Sequence, residues 1–173
     1  MFDELVRRGL VVVHASGVER TAVLATRAAD GDLVVADTCE QVAQINGIAR
    51  QFRVTTGAVT GGQLTTTGEQ IGIGDRIATR RNDTDLGVAN RELWTVIGSQ
   101  HGALDVVGDS GRRTLPAQYA AEHVELAYAT TAYGARARPS RRHTCWSAST
   151  HRCRLGVRQD DPRPRAQRRA PGC

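Results

Sequence analysis

Two arginine clusters in the middle of the chain have the chemistry to bind phosphate. Arg80 and Arg81 precede Asn82 in the segment TRRND, and Arg112 and Arg113 occur in the segment GRR. The guanidinium group presents several N–H donors in a planar fork, so one arginine can hold two oxygens of a phosphate. The same residue types also suit an exposed, solvated loop. The clusters therefore predict either a phosphate-binding surface or ordinary loop structure.

Further polar and aromatic candidates lie close to the first cluster. Asn82 and Asn90 flank the segment DTDLGVA, where asparagine serves either turn formation or contact with a ligand. Trp94 is central in ELWTV. We expect Trp94 to be a core residue rather than a platform on which a nucleotide base stacks.

The basic residues are all arginine, 23 in number, and the chain contains no lysine. A P-loop needs a lysine on the β- and γ-phosphates of the nucleotide, and the pattern GxxxxGK[ST] is absent. The sequence therefore predicts no catalytic residue for ATP hydrolysis in this chain. Any ATPase site would need a phosphate-binding half supplied from elsewhere.

Charge is distributed unevenly along the chain. Residues 1–135 contain 12 Arg and 16 Asp or Glu, whereas residues 136–173 contain 11 Arg and 2 Asp. The body is therefore acidic by four charges and the tail basic by nine. The basic balance of the whole chain is a property of the tail, so it does not by itself make the body a nucleic-acid-binding protein.

Cysteine and histidine give no sign of a metal site. Three of the four cysteines lie in the tail, and Cys39, alone in the body, is expected to be a buried free thiol. His14, His101 and His123 have no carboxylate or nucleophile at a suggestive spacing. No signal peptide and no apolar run of about 18 residues is found. We expect no membrane partner and a cytoplasmic protein.

The first 70 residues have the pattern of an α/β layer. The apolar runs LVVVHA and DLVVAD predict buried strands. Ser16 with Glu19, and Thr38 with Gln41, have the spacing of capping boxes, which predict a helix to Ala29 and another from Cys39 to about Phe52. Strand–helix–strand–helix order with short joins predicts a parallel sheet. Residues 54–70, rich in Thr and Gly, are interpreted as a loop or linker.

After residue 70 the pattern changes to short strands. IGIGDRIATR, ELWTVIGS, ALDVVGD and RRTLP are separated by turn sequences, which predicts a small β-barrel. PAQYAAEH predicts one turn of helix with Pro116 at its first position. VELAYATTAY is interpreted as one strand that returns to the α/β layer.

Three segments, taken in this order, resemble one family. GDRIATRRND with GVAN, then TLPAQY, then HVELAYATTAYGA are similar to the C-terminal helicase region of actinobacterial conjugative relaxase-helicases of the TrwC/TraA type. These belong to the RecD-like branch of superfamily-1 DNA helicases. The resemblance covers residues 1–135.

The resemblance implies a domain organisation and a function. Residues 1–70 would form part of a second RecA-like domain, residues 71–123 an SH3-like β-barrel insert, and residues 124–135 a returning strand. In the family these parts close over single-stranded DNA and complete an ATP and Mg²⁺ site built mainly by a first RecA-like domain. This chain alone would hold no cofactor. YATTAYGA matches the start of the family's motif V, which would place Thr131 near DNA or nucleotide; the alternative is a plain core strand.

The resemblance ends at residue 136. The family continues with Gln-Gly, whereas this chain has Arg136 and Ala137. Synonymous codons can be chosen for residues 136–146 and 156–172 so that the same nucleotides, translated in a shifted reading frame, encode the family's continuation after motif V and its motif VI. Four of the five prolines lie in this tail, and its apolar residues have no period. We therefore expect residues 136–173 to be a disordered basic tail and hypothesise out-of-frame translation, with an evolved nucleic-acid-binding arm as the alternative.

Three hypotheses for function follow from these observations. The first is a truncated part of a helicase motor that contacts single-stranded DNA and is inactive alone. The second is a non-enzymatic nucleic-acid-binding module that uses the barrel and the tail. The third is a non-functional gene remnant.

Overall fold

The fold is taken from a computed structural model that describes residue 7, residues 11–131, residue 135, and the segments His143–Ser147 and Arg152–Gly156. In this part of the chain no helix is long and apolar enough to cross a membrane. The described residues form a mixed α/β fold with three helices, one five-stranded sheet that includes parallel pairs, and two antiparallel sheets of two and five strands. The predicted fold class is therefore confirmed at this level.

The first sheet contains five strands, β1 (Val11–Val13), β2 (Leu33–Ala36), β10 (Ala129–Thr131), β11 (His143–Ser147) and β12 (Arg152–Gly156). Their order is β1-β12-β11-β2-β10. Both β10 and β11 run parallel to β2, whereas β12 is antiparallel to β11 and to β1. The strands β1 and β2 thus point the same way, as the sequence predicts, but β11 and β12 lie between them.

Strands β11 and β12 come from the tail that the sequence predicts to be disordered. The structure describes these two segments as strands, and the expectation of a disordered tail stays a prediction. Strand pairing is made by backbone N–H and C=O groups, which every residue except proline carries in full, so it does not require an apolar pattern. The other tail residues lie outside the described part of the chain.

Helix α1 (Gly17–Ala29) begins and ends where the sequence predicts. The Ser16 hydroxyl accepts a hydrogen bond from the Glu19 backbone N–H at 3.1 Å, and the Glu19 carboxylate accepts one from the Ala15 N–H at 3.0 Å. The helix ends at Asp30, and Gly31 follows with φ of 102°. This left-handed backbone is one that glycine adopts without a steric cost.

Helix α2 (Cys39–Thr55) begins with a complete capping box between Thr38 and Gln41. Ile45 and Ala49 are fully buried, and Val42 packs against the same core. The predicted apolar face is therefore confirmed, and the helix extends one turn beyond the predicted end.

The interpretation of residues 54–70 as a loop is wrong. Strand β3 (Thr60–Leu64) pairs antiparallel with β4 (Gln70–Ile73). Glycine allows this pairing because a Cβ atom on Gly72 would lie 2.5 Å from the Thr60 carbonyl oxygen. The close contact thus requires glycine at position 72 of the partner strand, whereas Gly61 within the segment has a left-handed backbone with φ of 68°.

The second sheet contains β5 (Arg76–Thr79), β6 (Leu93–Gln100), β7 (Ala103–Gly108), β8 (Gly111–Leu115) and β9 (Val124–Leu126), all antiparallel, in the order β8-β7-β6-β5-β9. Helix α3 (Ala117–His123) joins β8 to β9, with Pro116 as its N-cap. Trp94 is 2% exposed, so its predicted core position is confirmed. No pair between β8 and β9 occurs in the described part, and a closed SH3-like barrel stays a prediction.

The segment predicted as one returning strand forms two strands in different sheets. Strand β9 pairs with β5, and after Ala127 and Tyr128 strand β10 pairs with β2. The buried Asn46 side chain of α2 bridges the junction, because its amide donates to the Leu126 carbonyl at 2.9 Å and accepts from the Ala129 N–H at 2.7 Å. Asn46 therefore satisfies backbone groups on both sides of the change of sheet.

Asp75 connects the two sheets through a buried carboxylate with no solvent exposure. One of its oxygens accepts from Arg50 Nε at 3.0 Å and from the Gly72 N–H at 2.7 Å, and the other accepts from the Tyr128 hydroxyl at 2.6 Å. Burial, followed by this hydrogen bond, raises the pKa of Tyr128. A buried charge is tolerated when it is paired in this way.

Replacing Asp75 with Ala should destabilise the protein by about 3–5 kcal/mol, because the partly buried Arg50 guanidinium loses its counter-charge and the Tyr128 hydroxyl and Gly72 N–H lose their acceptor. Tyr128→Phe removes one hydrogen bond to the carboxylate and should cost about 1–3 kcal/mol. The free energy of unfolding in urea measures both effects. The control is Asp32→Ala, which breaks the more exposed pair with Arg27 (3.5 Å) and should cost less than about 1 kcal/mol. Equal losses for Asp75→Ala and Asp32→Ala would contradict the assigned role of Asp75.

Candidate nucleic-acid interface

A cleft of about 180 Å³ lies where the two sheets meet, at the carboxyl ends of β2 and β10 and the first turn of α2. Its walls are Cys39, Val42, Ala43, Asn46, Glu69, Ala78, Arg80, Arg91, Glu125, Leu126, Ala129, Thr130 and Thr131. The carboxyl ends of parallel strands are where open α/β sheets bind ligands.

The start of α2 supplies one wall and favours negative charge. The pKa of the exposed Glu40 carboxyl is held below its ordinary value by a hydrogen bond from its own backbone N–H and by one from Thr38. Such stabilisation of an anion is expected at a helix N-terminus. Cys39 lies here too and is exposed, so the expectation of a buried thiol is wrong; the first turn of a helix projects from the sheet edge rather than into the core.

Thr131 lies at the end of β10, opposite Ala36 of β2 in the parallel register. Its side chain is half-buried at the rim of the cleft, and the preceding Thr130 is buried. The residue is thus both the last member of a core strand and part of the cleft wall. The position agrees with a core strand, and contact of Thr131 with DNA or nucleotide stays a prediction.

Arg80 and Arg91 supply the positive charge of the cleft. Arg80 follows β5, and its Nη1 atom lies 2.9 Å from a carboxylate oxygen of Glu125 on β9, with the side chains 48% and 40% exposed. Arg91 has a left-handed backbone with φ of 67°, and its N–H donates to the Thr79 carbonyl at 2.6 Å. A non-glycine residue in this conformation is held by its surroundings. Here the hydrogen bond to Thr79 helps to fix the turn that carries Arg91.

Glu69 adds a second carboxylate to the cleft. It precedes β4 and accepts a hydrogen bond from the Leu126 N–H at 2.9 Å. Burial is the main cause that raises the pKa of Glu69, and the charges of Glu125 and Asp75 raise it further against the effect of that hydrogen bond. The cleft therefore contains two guanidinium groups and two carboxylates, and its formal charges balance when both acids are ionised.

The other predicted contact residues lie outside this cleft. Arg81 lines a second depression, where its Nη1 atom is 3.3 Å from His123 Nε2 and its carbonyl accepts from the Tyr119 hydroxyl. Asn82 accepts from the Asn90 N–H at 2.7 Å, so these two asparagines stabilise the turn between them.

Arg112 and Arg113, on the edge strand β8, line a third depression. Arg113 donates to the carbonyls of Gly87 and Arg112. The cleft thus brings together Arg80 and Thr131 of the seven predicted residues, and the other five are distributed elsewhere.

The sequence analysis missed three charged residues of the cleft: Glu69, Arg91 and Glu125. Glu69 lies in the segment interpreted as a linker, and Glu125 in the middle of an apolar strand. Arg91 could have been predicted, because it is a basic residue directly after Asn90, which was itself a predicted contact residue. In the described part of the chain no three His, Cys, Asp or Glu side chains form a group that could hold a metal.

Comparisons with known proteins give structural similarity only. No protein-family model matches the chain, and no curated protein matches it by sequence. Among solved structures it is similar to Bacteroides Pif1 bound to single-stranded DNA, with a TM-score of 0.49, 14% identity, and coverage of 67% of this chain and 34% of that chain. For Pif1 helicase from Bacteroides in complex with ADP-AlF3 and single-stranded DNA, the TM-score is 0.48 and the identity 12%, with coverage of 72% of this chain and 38% of that chain. For a structure on DNA unwinding at forked double-stranded DNA by two coordinating Pif1 helicases, the TM-score is 0.46 and the identity 13%, with coverage of 76% of this chain and 37% of that chain.

The chain thus spans little more than a third of the length of the solved structures it matches. Similarity at this identity and TM-score assigns no function to the chain.

The raised pKa of Glu69 predicts a pH dependence of stability. The folded protein binds a proton more readily than the unfolded chain, so the free energy of unfolding should fall as pH rises from the ordinary glutamate value of 4.5 through the folded pKa. Glu69→Gln keeps an acceptor for the Leu126 N–H and should lack this fall. Urea unfolding from pH 4 to 8 measures the difference. Glu122→Gln, at an exposed position of α3, is the control, and an unchanged pH profile for Glu69→Gln would refute the assignment.

Proposed function

We propose that the cleft between the two sheets binds the sugar–phosphate backbone of single-stranded DNA. On this proposal the chain is part of the second motor domain of a superfamily-1 DNA helicase. The finer hypothesis, that the parent is a conjugative relaxase-helicase of the TrwC/TraA type, rests on the sequence resemblance alone. The carrying observation is that Arg80 and Thr131, which come from two separate motifs of that resemblance, line one cleft.

The geometry of the cleft supports a backbone ligand rather than a small enclosed one. Arg80 is half-exposed and reaches the cleft from the end of β5, while Thr131 lies at the end of β10. A guanidinium beside a hydroxyl and the first turn of a helix offers N–H and O–H donors to a phosphodiester. Phosphate contacts fix the position of a strand without reading its sequence, as a translocating motor requires.

The described residues do not suit a triphosphate with Mg²⁺. The two guanidinium groups of the cleft are matched by the carboxylates of Glu69 and Glu125, and no lysine is encoded. ATP and Mg²⁺ therefore belong to the proposed parent, where a first RecA-like domain would be the partner that holds them. We propose that the chain alone is not catalytic.

A second candidate is binding through the basic tail. Residues 136–173 have a net charge of nine, which is enough for non-specific, salt-sensitive attraction to a polyanion. An out-of-frame tail in a non-functional remnant would attract DNA by the same charge. The nucleotide sequence of the gene tests that origin, because in-frame codons with no family-like alternative frame would refute it.

Arg80→Ala should weaken binding of a fluorescein-labelled 12-nucleotide oligo-dT roughly tenfold at 50 mM salt, because one charged hydrogen bond to phosphate is lost. The slope of log affinity against log salt should decrease in magnitude by about 0.7, the value for one phosphate of a single strand. Fluorescence anisotropy of the full chain measures both quantities.

Two variants control this experiment. Arg27→Ala removes a guanidinium that is also in an exposed ion pair but lies outside the cleft walls, and it should bind like the wild type. Arg112→Ala tests whether the third depression contributes. Wild-type affinity and salt slope in Arg80→Ala would reject the cleft and favour the tail.

The full chain should show no Mg²⁺-dependent ATP hydrolysis above the protein-free blank, with or without single-stranded DNA. Phosphoryl transfer depends on cations placed together around the β- and γ-phosphates, whereas Arg80 of the cleft is paired with Glu125. Phosphate release measured by a coupled assay is the test. DNA-stimulated turnover that disappears in Arg80→Ala would overturn this expectation.

A further inference from the structure

The cleft contains a carboxylate at the position where a phosphate would bind. Glu125 accepts from Arg80 Nη1 at 2.9 Å, and both residues line the cleft. A carboxylate and a phosphate use the same fork of guanidinium donors. A strand that binds Arg80 must therefore either displace Glu125 or share the guanidinium with it.

The displaced carboxylate would remain close to a second acid. Glu69 accepts from the N–H of Leu126, the residue after Glu125, at 2.9 Å. The charge of Glu125 acts on Glu69 in the folded protein, where burial already disfavours ionisation of Glu69. Once Glu125 loses its cation, its charge acts on Glu69 without the compensation of Arg80, so Glu69 gains affinity for a proton.

We propose that Glu125 is an internal competitor for the phosphate position on Arg80, and that its displacement by a single strand is coupled to uptake of a proton by the Glu69 carboxylate. This inference rests on the proposed function of the cleft. It assigns a regulatory role to Glu69 and Glu125, for which the resemblance implies no contact with DNA. Binding of single-stranded DNA should then tighten as pH falls from 8 to 5.5.

Other charged groups lie near the carboxylates of Glu69 and Glu125. Arg80 and Arg91 line the cleft and favour ionised carboxylates, whereas the buried Asp75 opposes ionisation of Glu69. Cys39, at the start of α2, is the other titratable group in the wall. A DNA phosphodiester does not titrate in this range, so the pH dependence reports on protein groups.

The primary test is the affinity of labelled oligo-dT for the full chain at constant salt from pH 5.5 to 8. Glu125→Gln should bind about two- to fivefold more tightly than wild type at pH 7.5, the range expected for loss of one exposed ion pair, and its pH dependence should be weaker. Glu122→Gln makes the same charge change outside the cleft and should bind like wild type. Equal gains in the two variants would overturn the inference.

A double-mutant cycle separates competition from simple charge removal. In the Arg80→Ala background, Glu125→Gln should give no gain, because there is no guanidinium left to release. The same gain with and without Arg80 would overturn the competition. Calorimetry in two buffers of different ionisation enthalpy should show proton uptake by wild type at pH 7 and less by Glu125→Gln; equal uptake would overturn the coupling.

These outcomes are distinct from failure of the proposed function. If Arg80→Ala binds oligo-dT as tightly as wild type, the cleft is not the DNA site and the proposed function fails. If Arg80→Ala weakens binding but Glu125→Gln changes neither affinity nor pH dependence, the proposed function stands and this inference fails.

Discussion

The arrangement of the molecule depends on the pairing of one buried carboxylate. Asp75 has no solvent exposure, so its charge is stable only while Arg50, the Gly72 N–H and the Tyr128 hydroxyl are all in place. These partners come from α2, from β4 and from the segment between β9 and β10. A shift of any one of these elements leaves a charge unpaired in the interior, which is why the two sheets hold a fixed relation to each other.

The cleft is a consequence of that fixed relation. One wall comes from β10 and α2, and the other includes the ends of β5 and β9, which belong to the five-stranded antiparallel sheet. Asn46 fixes the two strand ends that face the cleft, and Arg53 adds a further connection by donating to the carbonyls of Ala29 and Gly74. The charged side chains therefore meet in the cleft because the hydrogen bonds of Asn46 and Arg53 hold the surrounding elements in place.

The sequence was sufficient where a local rule decides the structure. The caps at Ser16 and Thr38, the apolar face of α2 and the short strands after residue 70 depend on neighbours within a few positions. It was insufficient where long-range contact decides. Residues 60–64 were interpreted as part of a loop because their partner strand β4 is not visible locally. The role of Asp75 was not predicted, because its three partners are 3, 25 and 53 positions away. For the site, two of seven predicted residues share the cleft, because the strand order that separates Arg80 from Arg112 is a property of the folded sheet.

If the chain binds DNA, the tail and the cleft would contribute in different ways, because the tail has a net charge and the cleft does not. The tail carries the net positive charge, and such charge raises the rate and strength of encounter with any polyanion without defining where the strand lies. The cleft has no such excess, because Glu69 and Glu125 balance Arg80 and Arg91. A cleft without net charge attracts a DNA strand only weakly at a distance. Binding in it is favoured where a phosphate of the strand replaces Glu125 on Arg80. Position along the strand would then be set by exchange of partners inside the cleft, and attraction by charges outside it.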